Sequence, residues 1–533
     1  VYAMLVLLSY STMFKTLYSL ILSCGVLSSA YANTYYLSNV TGSDQNSGLD
    51  TEHPWKSLAK IGGVALRPGD QVLLKSGSVW ENECLVLSAH GDEKNPIKVT
   101  SYGEGALPVI AGNSVALSTV VIDNPSYLEI SNLEITNIDN THKKLLRGIT
   151  FHALNSGKLA QVTVKNLYVH DITGPVANYH DEDTSHKSYG GIVFLIEGNA
   201  VRTWWDELLV EGCKVTDANA IGITFVSPWA KGHRMNDEAT WAPSTHVVIR
   251  GNTIMRSARN GLIIRACVNP IIEHNLFKEC AIQGSGNACF SFDCDGALFQ
   301  YNESCFTKFN PGDVDAAGYD SDWNCRGSIF QFNYSHDNDY GFILVCCMGK
   351  GFNDGTIVRY NISQNDNGVL VRFSGTVTNT YVYNNTLYAK SDMTNPRTAG
   401  DLPKIFYFKS WNGWAKNTFI FNNLVYNSSE QSIYDNGGST GTHFSHNLYW
   451  GYHPKSEPNE DVKFIADPKV GAVGAAEAGW NAPSKVFSIG SDSAASSGGL
   501  APLKDDPRKD YLSHSPSDLS HGWFIGALLN QGN

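Results

Sequence analysis

The residues best suited to chemistry lie within one stretch, GYDSDWNCRGSIFQFNYSHDND, from Gly318 to Asp339. Asp320 and Asp322 stand two apart on a short predicted strand, and a second strand ends at Asn333, just before His336 and Asp337. At positions i and i+2 of a strand both side chains leave on one side, with Cα atoms about 6.5–7 Å apart. Inverting glycosidases hold two carboxyls about 6.5–9.5 Å apart and retaining ones about 5–5.5 Å, so this pair meets the lower edge of the inverting spacing. Adjacent carboxylates also raise one another's pKa, which leaves one of them able to protonate a leaving oxygen. Calcium binding and capping of backbone groups are the alternatives for the same pair. Asp293, at the end of the preceding strand, is a substitute second carboxylate, and Asp293, Asp320 and Asp322 form the alternative calcium set. His336 is the nearest proton carrier in sequence, with Asp337 among the substrate-binding candidates. Asp313 and Asp315, in NPGDVDAAG, read as turn residues or metal ligands.

The elements that must position these groups are repeats. Segments of the form apolar-x-x-x-Asn recur, ending at Asn132, Asn166, Asn252, Asn275, Asn302, Asn333, Asn361, Asn385, Asn423 and Asn447, and LLVEG places Gly212 at the Asn position. Spacings from Asn252 onward are 23, 27, 31, 28, 24, 38 and 24 residues. Short strands at this period with loops of varying length predict an all-β, single-stranded parallel β-helix. The Asn corner fits a residue at φ > 0 whose side chains stack and hydrogen-bond along the axis.

A second strand, usually opened by Gly, precedes most of these segments. Aligned on that Gly, one row reads Leu195, Val226, Arg265, Phe292, Asp322, Val345, Arg372, and the row two residues earlier reads Val193, Thr224, Ile263, Phe290, Asp320, Ile343, Leu370. These rows face outward, while Cys289, Ser291, Tyr319, Ser321, Phe342 and Leu344 point inward with the other apolar positions. Neighbouring strands lie about 4.8 Å apart, so Arg265 and Arg372 flank the acids at roughly 10 Å on either side. Their forked guanidinium groups suit a sulfate or uronate, or alternatively ion pairs with the central Asp residues. No Lys falls on these rows. Trp323 and Trp229 are candidates for stacking on sugar rings.

The chain has 533 residues, 42% of them hydrophobic, and a net charge of −12 without a basic block, which argues against nucleic acid as its partner. From Met13, a Lys, an apolar run and Ala30-Tyr31-Ala32 predict a secretory signal cleaved before Asn33, and hence a secreted or periplasmic protein held by no membrane after cleavage. Residues 1–32 are assigned to the signal and upstream sequence, 33–112 to an N-terminal cap with a helix and the first coils, 113–450 to the catalytic β-helix with long loop insertions, and 451–533 to a closing segment with a last strand. Export permits disulfides, and some of the cysteines between Cys267 and Cys347 are candidates to pair between coils, with Cys289 in the core.

On YYLSNVTGSDQNSG, RPGDQVLLKSG, NPIKVTSYGEG, AGYDSDW with FNYSHDND, and VRYNISQND, most of the mature chain resembles the secreted right-handed parallel β-helix carbohydrate-active enzymes. That resemblance implies a glycoside hydrolase or polysaccharide lyase fold and a polysaccharide or oligosaccharide substrate. Two patterns of the wider group are absent: the Asn-Thr-Asp, paired-Asp and Gly-His-Gly pattern of polygalacturonases, and the Lys and Arg motifs of alginate lyases. The leading expectation is a monomeric hydrolase of an anionic or deoxy-sugar plant or algal glycan that requires no cofactor. One alternative is a calcium-dependent lyase using Lys350, Arg372 or His336 as base; the other is a non-catalytic carbohydrate-binding solenoid.

Overall fold

In the computed structural model, which describes residues 32–176, 187–235, 237, 239–398, 400–475, 477–515 and 522–529, nearly every strand pairs in parallel with the strand one coil away. Each coil visits three faces in turn. The coil before the acid pair shows the pattern: Cys289–Asp295 on the first face, Leu298–Gln300 on the second, Glu303–Cys305 on the third. A 28-stranded sheet wraps the first two faces and a 14-stranded sheet forms the third. The protein is a parallel β-helix, with its apolar core running inside the coils. The expected signal, residues 1–31 of it, and the loop histidines His180 and His186 lie outside the described residues.

The N-terminal helix Leu58–Gly62 is a single turn that buries Leu58 and Ile61. Its N-cap residue, Ser57, makes no side-chain cap; the Leu58 N–H instead donates to Glu83 Oε2 at 2.7 Å. The first strand, Thr34–Leu37, pairs in parallel with Gln71–Lys75.

The Asn ladder is present, shifted by one residue from the expected corner. From Asn252 to Asn447 each Asn Nδ2 donates to the Oδ1 of the next at 2.9–3.0 Å. The residue at positive φ is the one before the ladder Asn: Gly251, His274, Tyr301, Phe332 and Tyr360 take φ of 63, 55, 55, 56 and 53°. Asn132 and Asn166 occupy that left-handed position themselves, with buried leucines following, and so stand outside the ladder. Gly212 also sits there, pairing in register just before Asn252, whose Oδ1 accepts from the Cys213 N–H. The sequence pattern merged two adjacent positions because Asn tolerates the left-handed region and also makes ladders.

The closing segment runs back along the outside over coils already laid down. Trp480 Nε1 donates to the Phe332 carbonyl at 2.7 Å, and Asn384 Nδ2 donates to the carbonyls of Phe524 and Gly526. It covers a row of stacked rings, Tyr301, Phe332 and Tyr360, that would otherwise meet water. The closing segment adds one regular strand, Lys463–Ile465, parallel to Asn447–Gly451, but the expected last strand is not regular: among the described residues beyond Ile465 there are only single bridges, Ile489 with Leu529 and Gly499 with Trp523.

All ten described cysteines are free, so the expected inter-coil disulfides are not formed. Cys267 and Cys294 sit opposite each other in adjacent strands, both inside the core. They pack as small apolar groups. A reductant such as dithiothreitol is therefore expected to leave the melting temperature unchanged; a fall of several degrees would show bridges that this packing does not contain.

Candidate active site

The acids stand where the sequence placed them, on a pocket in the first face. Tyr319–Ser321 is a three-residue strand of that stack, held in register between Cys289–Asp295 and Ile343–Cys347. Tyr319 points into the core, its hydroxyl donating to the carbonyls of Asn302 and Tyr334, and Ser321 follows it inward, 3.0 Å from Thr356 Oγ1. Those two inward anchors turn Asp320 and Asp322 outward. The pocket they enter has a volume of about 810 Å³.

Beyond this strand the register differs from the expectation. Asp320 pairs with Leu344 and then Arg372, while Cys346, Ser374 and Lys409 continue the Asp322 row. Leu344 therefore lines the pocket, and Ile343 and Val345 turn into the core. Aligning on Gly341 misplaced that coil by one residue, which inverts every side chain of a strand. Contrary to the sequence expectation, a lysine does stand on the outward row: Lys409.

Asp320 is almost fully buried, accepting from Asn287 Nδ2 at 2.8 Å. Burial, with the Asp322 and Asp315 charges beside it, pushes its carboxyl far above the ordinary range. Asp322 is partly exposed and accepts from the Trp323 N–H at 2.7 Å and the Cys346 thiol at 3.1 Å. Burial raises its carboxyl too, opposed by the Lys187 ammonium and those two donors. Cys346 Sγ also lies 3.9 Å from Asp320 Oδ1. One oxygen of each Asp comes within 4.8 Å of the other, closer than the inverting spacing the sequence suggested.

Asp315 joins them instead of serving only as a turn residue. It lines the pocket, and burial and Asp313 push its carboxyl up to about 6. Ser285 Oγ donates to it at 3.2 Å, and Arg372 Nη2 lies 4.0 Å away. Arg372 is itself buried, its guanidinium over the Tyr340 ring at 4.8 Å.

Asp293 is a different case. The chain turns there at φ 51°, and its buried carboxylate accepts from Arg265 Nε at 3.1 Å and Asn324 Nδ2 at 2.8 Å. It is the counter-ion of Arg265 behind the pocket wall and takes no place as second acid. The alternative calcium set is thereby divided. The residues whose ligand atoms do cluster are Asp320, Asp322 and the Cys346 thiol. Calcium takes six to eight oxygen ligands, and a thiol beside a lysine does not suit so hard a cation.

His336 and Asp337 are also displaced from the expected role. Tyr334–His336 belongs to the third face, and neither residue lines the pocket. His336 bonds Asp337 Oδ2 at 2.8 Å and Glu303 Oε1 at 3.2 Å, and the Gly479 N–H of the closing segment caps Glu303. Burial opposes its charge, but the bonds with Asp337, Cys305 and Glu303 outweigh it and hold the imidazolium up to about 11. An unfolded His titrates near 6.5. This group's stabilisation is thus fully present below about pH 6.5 and is lost as the pH rises through about 11. His336→Gln is expected to lower the melting temperature while leaving kcat within about twofold; a collapse of kcat with an unchanged melt would return His336 to the site.

Of the tryptophans, Trp323 lines the pocket and tilts against Trp411, ring centroids 5.8 Å apart. Trp229 is buried in the core within the 3-10 turn Pro228–Ala230 and does not line the pocket. The exposed Lys350 is also outside the pocket lining. The groups that the sequence did not single out are Lys187, Arg259, Asn287, Cys346, Arg397 and Lys409. Lys187 sits over the rings of Phe290 and Phe292 at 5.4 and 5.1 Å. Most of these come from loops or from the misregistered coils, where no strand periodicity marks them.

No family model matches the chain. It is 28% identical over 448 residues to a lacto-N-biosidase of Bifidobacterium longum subsp. longum, an alignment that takes in 67% of this chain and 27% of that protein. The chain thus spans about a quarter of the length of that curated relative. Among solved structures, the native GH136 lacto-N-biosidase from Eubacterium ramulus has a TM-score of 0.55 at 22% identity, covering 82% of this chain and 67% of that one. Its selenomethionine form gives 0.56 at 22% identity, covering 86% and 70%. In sequence and in fold, the chain is similar to parallel β-helix carbohydrate-active enzymes of the lacto-N-biosidase kind.

Proposed function

We propose that this chain is a glycoside hydrolase, exported from the cytoplasm, that cleaves a glycan held in the pocket of the first face. The carrying observation is the division of labour among three carboxyls in one ligand-sized pocket, whose volume falls within the usual range of about 300–1,000 Å³. Asp315, up at about 6, is the acid that gives its proton to the leaving oxygen. Asp322, the more accessible of the strand pair and faced by Lys187, is the carboxylate that meets the developing positive charge at the anomeric carbon. Asp320, whose burial favours the neutral form, holds Asn287 by a hydrogen bond. The mechanism assigns no step to a metal ion. Trp323 and Trp411 offer ring faces to the sugars. The similarity to a lacto-N-biosidase places lacto-N-biosyl oligosaccharides first among the substrates to try.

One observation favours a second reading. Burial, with Arg397 and Arg372 nearby, brings the Lys409 ammonium down to about 8, within reach of a base in β-elimination from a uronate. The deciding experiment incubates the protein with a panel of neutral and anionic glycans and follows reducing ends together with the ultraviolet absorbance of unsaturated uronate. Reducing ends without absorbance support the hydrolase. Absorbance growing in step with reducing ends replaces it with the lyase, and no product on any glycan sinks both.

A further inference from the structure

The pocket carries cations on both sides of the acids along the helix axis. On the side of the preceding coils, Arg265 is neutralised by Asp293, Arg259 Nε donates to the Ser285 carbonyl at 3.0 Å, and the Lys187 ammonium sits over the Phe290 and Phe292 rings and acts on Asp322. On the side of the following coils, Arg372, Arg397 and Lys409 converge on the same pocket, beside Ser374 and Trp411. Arg372 pairs in register with Tyr407, and Ser374 with Lys409, so two of the cations project from adjacent strands. Among the described residues the carboxylate that pairs with one of them is Asp315, 4.0 Å from Arg372 Nη2 and already with Ser285 as a donor, while Asp320 also lies within electrostatic reach of Arg372. Arg397 and Lys409 make no ion pair among the described residues. Arg372, 4% exposed, keeps its Nε without a hydrogen-bond partner. A buried donor left without a partner is destabilising, and three cations held together repel one another; an anion entering among them relieves both. Burial, and then the Arg397 and Arg372 charges, depress the Lys409 ammonium.

We infer that Arg372, Arg397 and Lys409 form a subsite for an oxyanion carried by the bound glycan, a uronic carboxylate or a sulfate ester. The inference rests on the pocket being a glycan site and names the class of glycan it takes. Arg372 Nη2 lies 4.0 Å from Asp315 and Lys409 stands one strand spacing further along the axis, so the anionic group belongs to a sugar unit at or next to the bond that is cleaved. The Tyr340 ring packs against the Arg372 guanidinium and restrains it, and Lys409 adds a point charge. The anion clamp expected from Arg265 and Arg372 on opposite flanks thus gathers on one flank.

The test measures binding and needs no turnover. Asp322→Asn protein is titrated calorimetrically with glucuronate, with inorganic sulfate and with glucose, alone and carrying Lys409→Met or Arg397→Gln. Glucuronate is expected to bind at least tenfold more tightly than glucose, and each added substitution to weaken it about tenfold while leaving glucose unaffected. Lys409→Arg, which keeps the charge, is expected to retain binding and guards against a variant that merely misfolds. Competition by sulfate extends the site to sulfated sugars, and its absence confines the site to carboxylates; both agree with the inference. Glucuronate binding no better than glucose, or insensitivity to both substitutions, overturns it. Because the titrated protein already lacks Asp322, failure of the hydrolase reading would appear in the glycan panel and not here.

Discussion

Asp322→Asn protein is expected to fold with an unchanged melting temperature and to lose about 10³-fold in kcat on the substrate found by the glycan panel. The amide keeps the shape that accepts the Trp323 N–H and the Cys346 thiol, but it carries no negative charge for the anomeric centre. Asp315→Asn should cost a comparable factor on ordinary glycosides and far less on nitrophenyl glycosides, whose leaving group departs without a proton. With Asp315 up at about 6, wild-type rate falls as the pH rises through that value and the acid loses its proton. That alkaline limb should disappear in Asp315→Asn measured on the nitrophenyl substrate. Asp320→Asn is the informative control. Burial favours the neutral form of Asp320, which an amide imitates in shape and charge, so the loss should be about tenfold or less. If Asp320→Asn proves as damaging as Asp322→Asn, the strand pair itself does the acid–base work and Asp315 is only a neighbour. If Asp322→Asn keeps full activity, the site is misassigned.

The contrast between these three acids shows what the sequence could and could not convey. Period-2 alternation and the recurring Asn placed the coils, the outward direction of Asp320 and Asp322, and the inward direction of Tyr319 and Ser321, because strand geometry leaves a side chain only two directions. It could not place Asp315, which reaches the pocket from an irregular loop where no period operates. Nor could it keep His336 out: closeness in sequence suggested closeness in space, yet a three-faced coil sends residues fifteen apart to different faces. The register beyond Gly341 failed for a related reason. Loop length between faces varies from coil to coil, so alignment on a glycine carries no guarantee of parity; one residue of error hid Cys346, and Lys409 lies one coil beyond the last strand aligned. Burial was the other missing quantity. Asp293 and Asp322 look alike in sequence, and only the Arg265 and Asn324 contacts show that the first is already satisfied.

The ladder that positions the acid strand should be the most sensitive structural element. Asn333 Oδ1 accepts from both the backbone N–H and the side-chain amide of Asn302, while its Nδ2 donates to the Phe299 carbonyl and to Asn361 Oδ1. Asn333→Ala removes four bonds and strands buried partners on two neighbouring coils. At about 1–3 kcal/mol for each group left without a partner, and with some relaxation, the expected loss is about 4 kcal/mol or more. Asn447, at the end of the row, is capped by Glu460 instead of another Asn, and Asn447→Ala should cost less. Asn132→Ala, at a left-handed position outside the ladder, should cost only about 1–2 kcal/mol of backbone strain. Urea midpoints of the three variants give the order directly. Each coil of a solenoid contacts only its neighbours, so the damage from Asn333→Ala concentrates on the coils that flank Tyr319. Tyr319 itself hangs from the carbonyls of Asn302 and Tyr334, on either side of that break. Activity should therefore fall with Asn333→Ala even at temperatures where the protein remains folded, and not with Asn447→Ala. Equal midpoints for the three variants would mean that the stacked sheets hold the coils alone and that the Asn row follows the fold without supporting it.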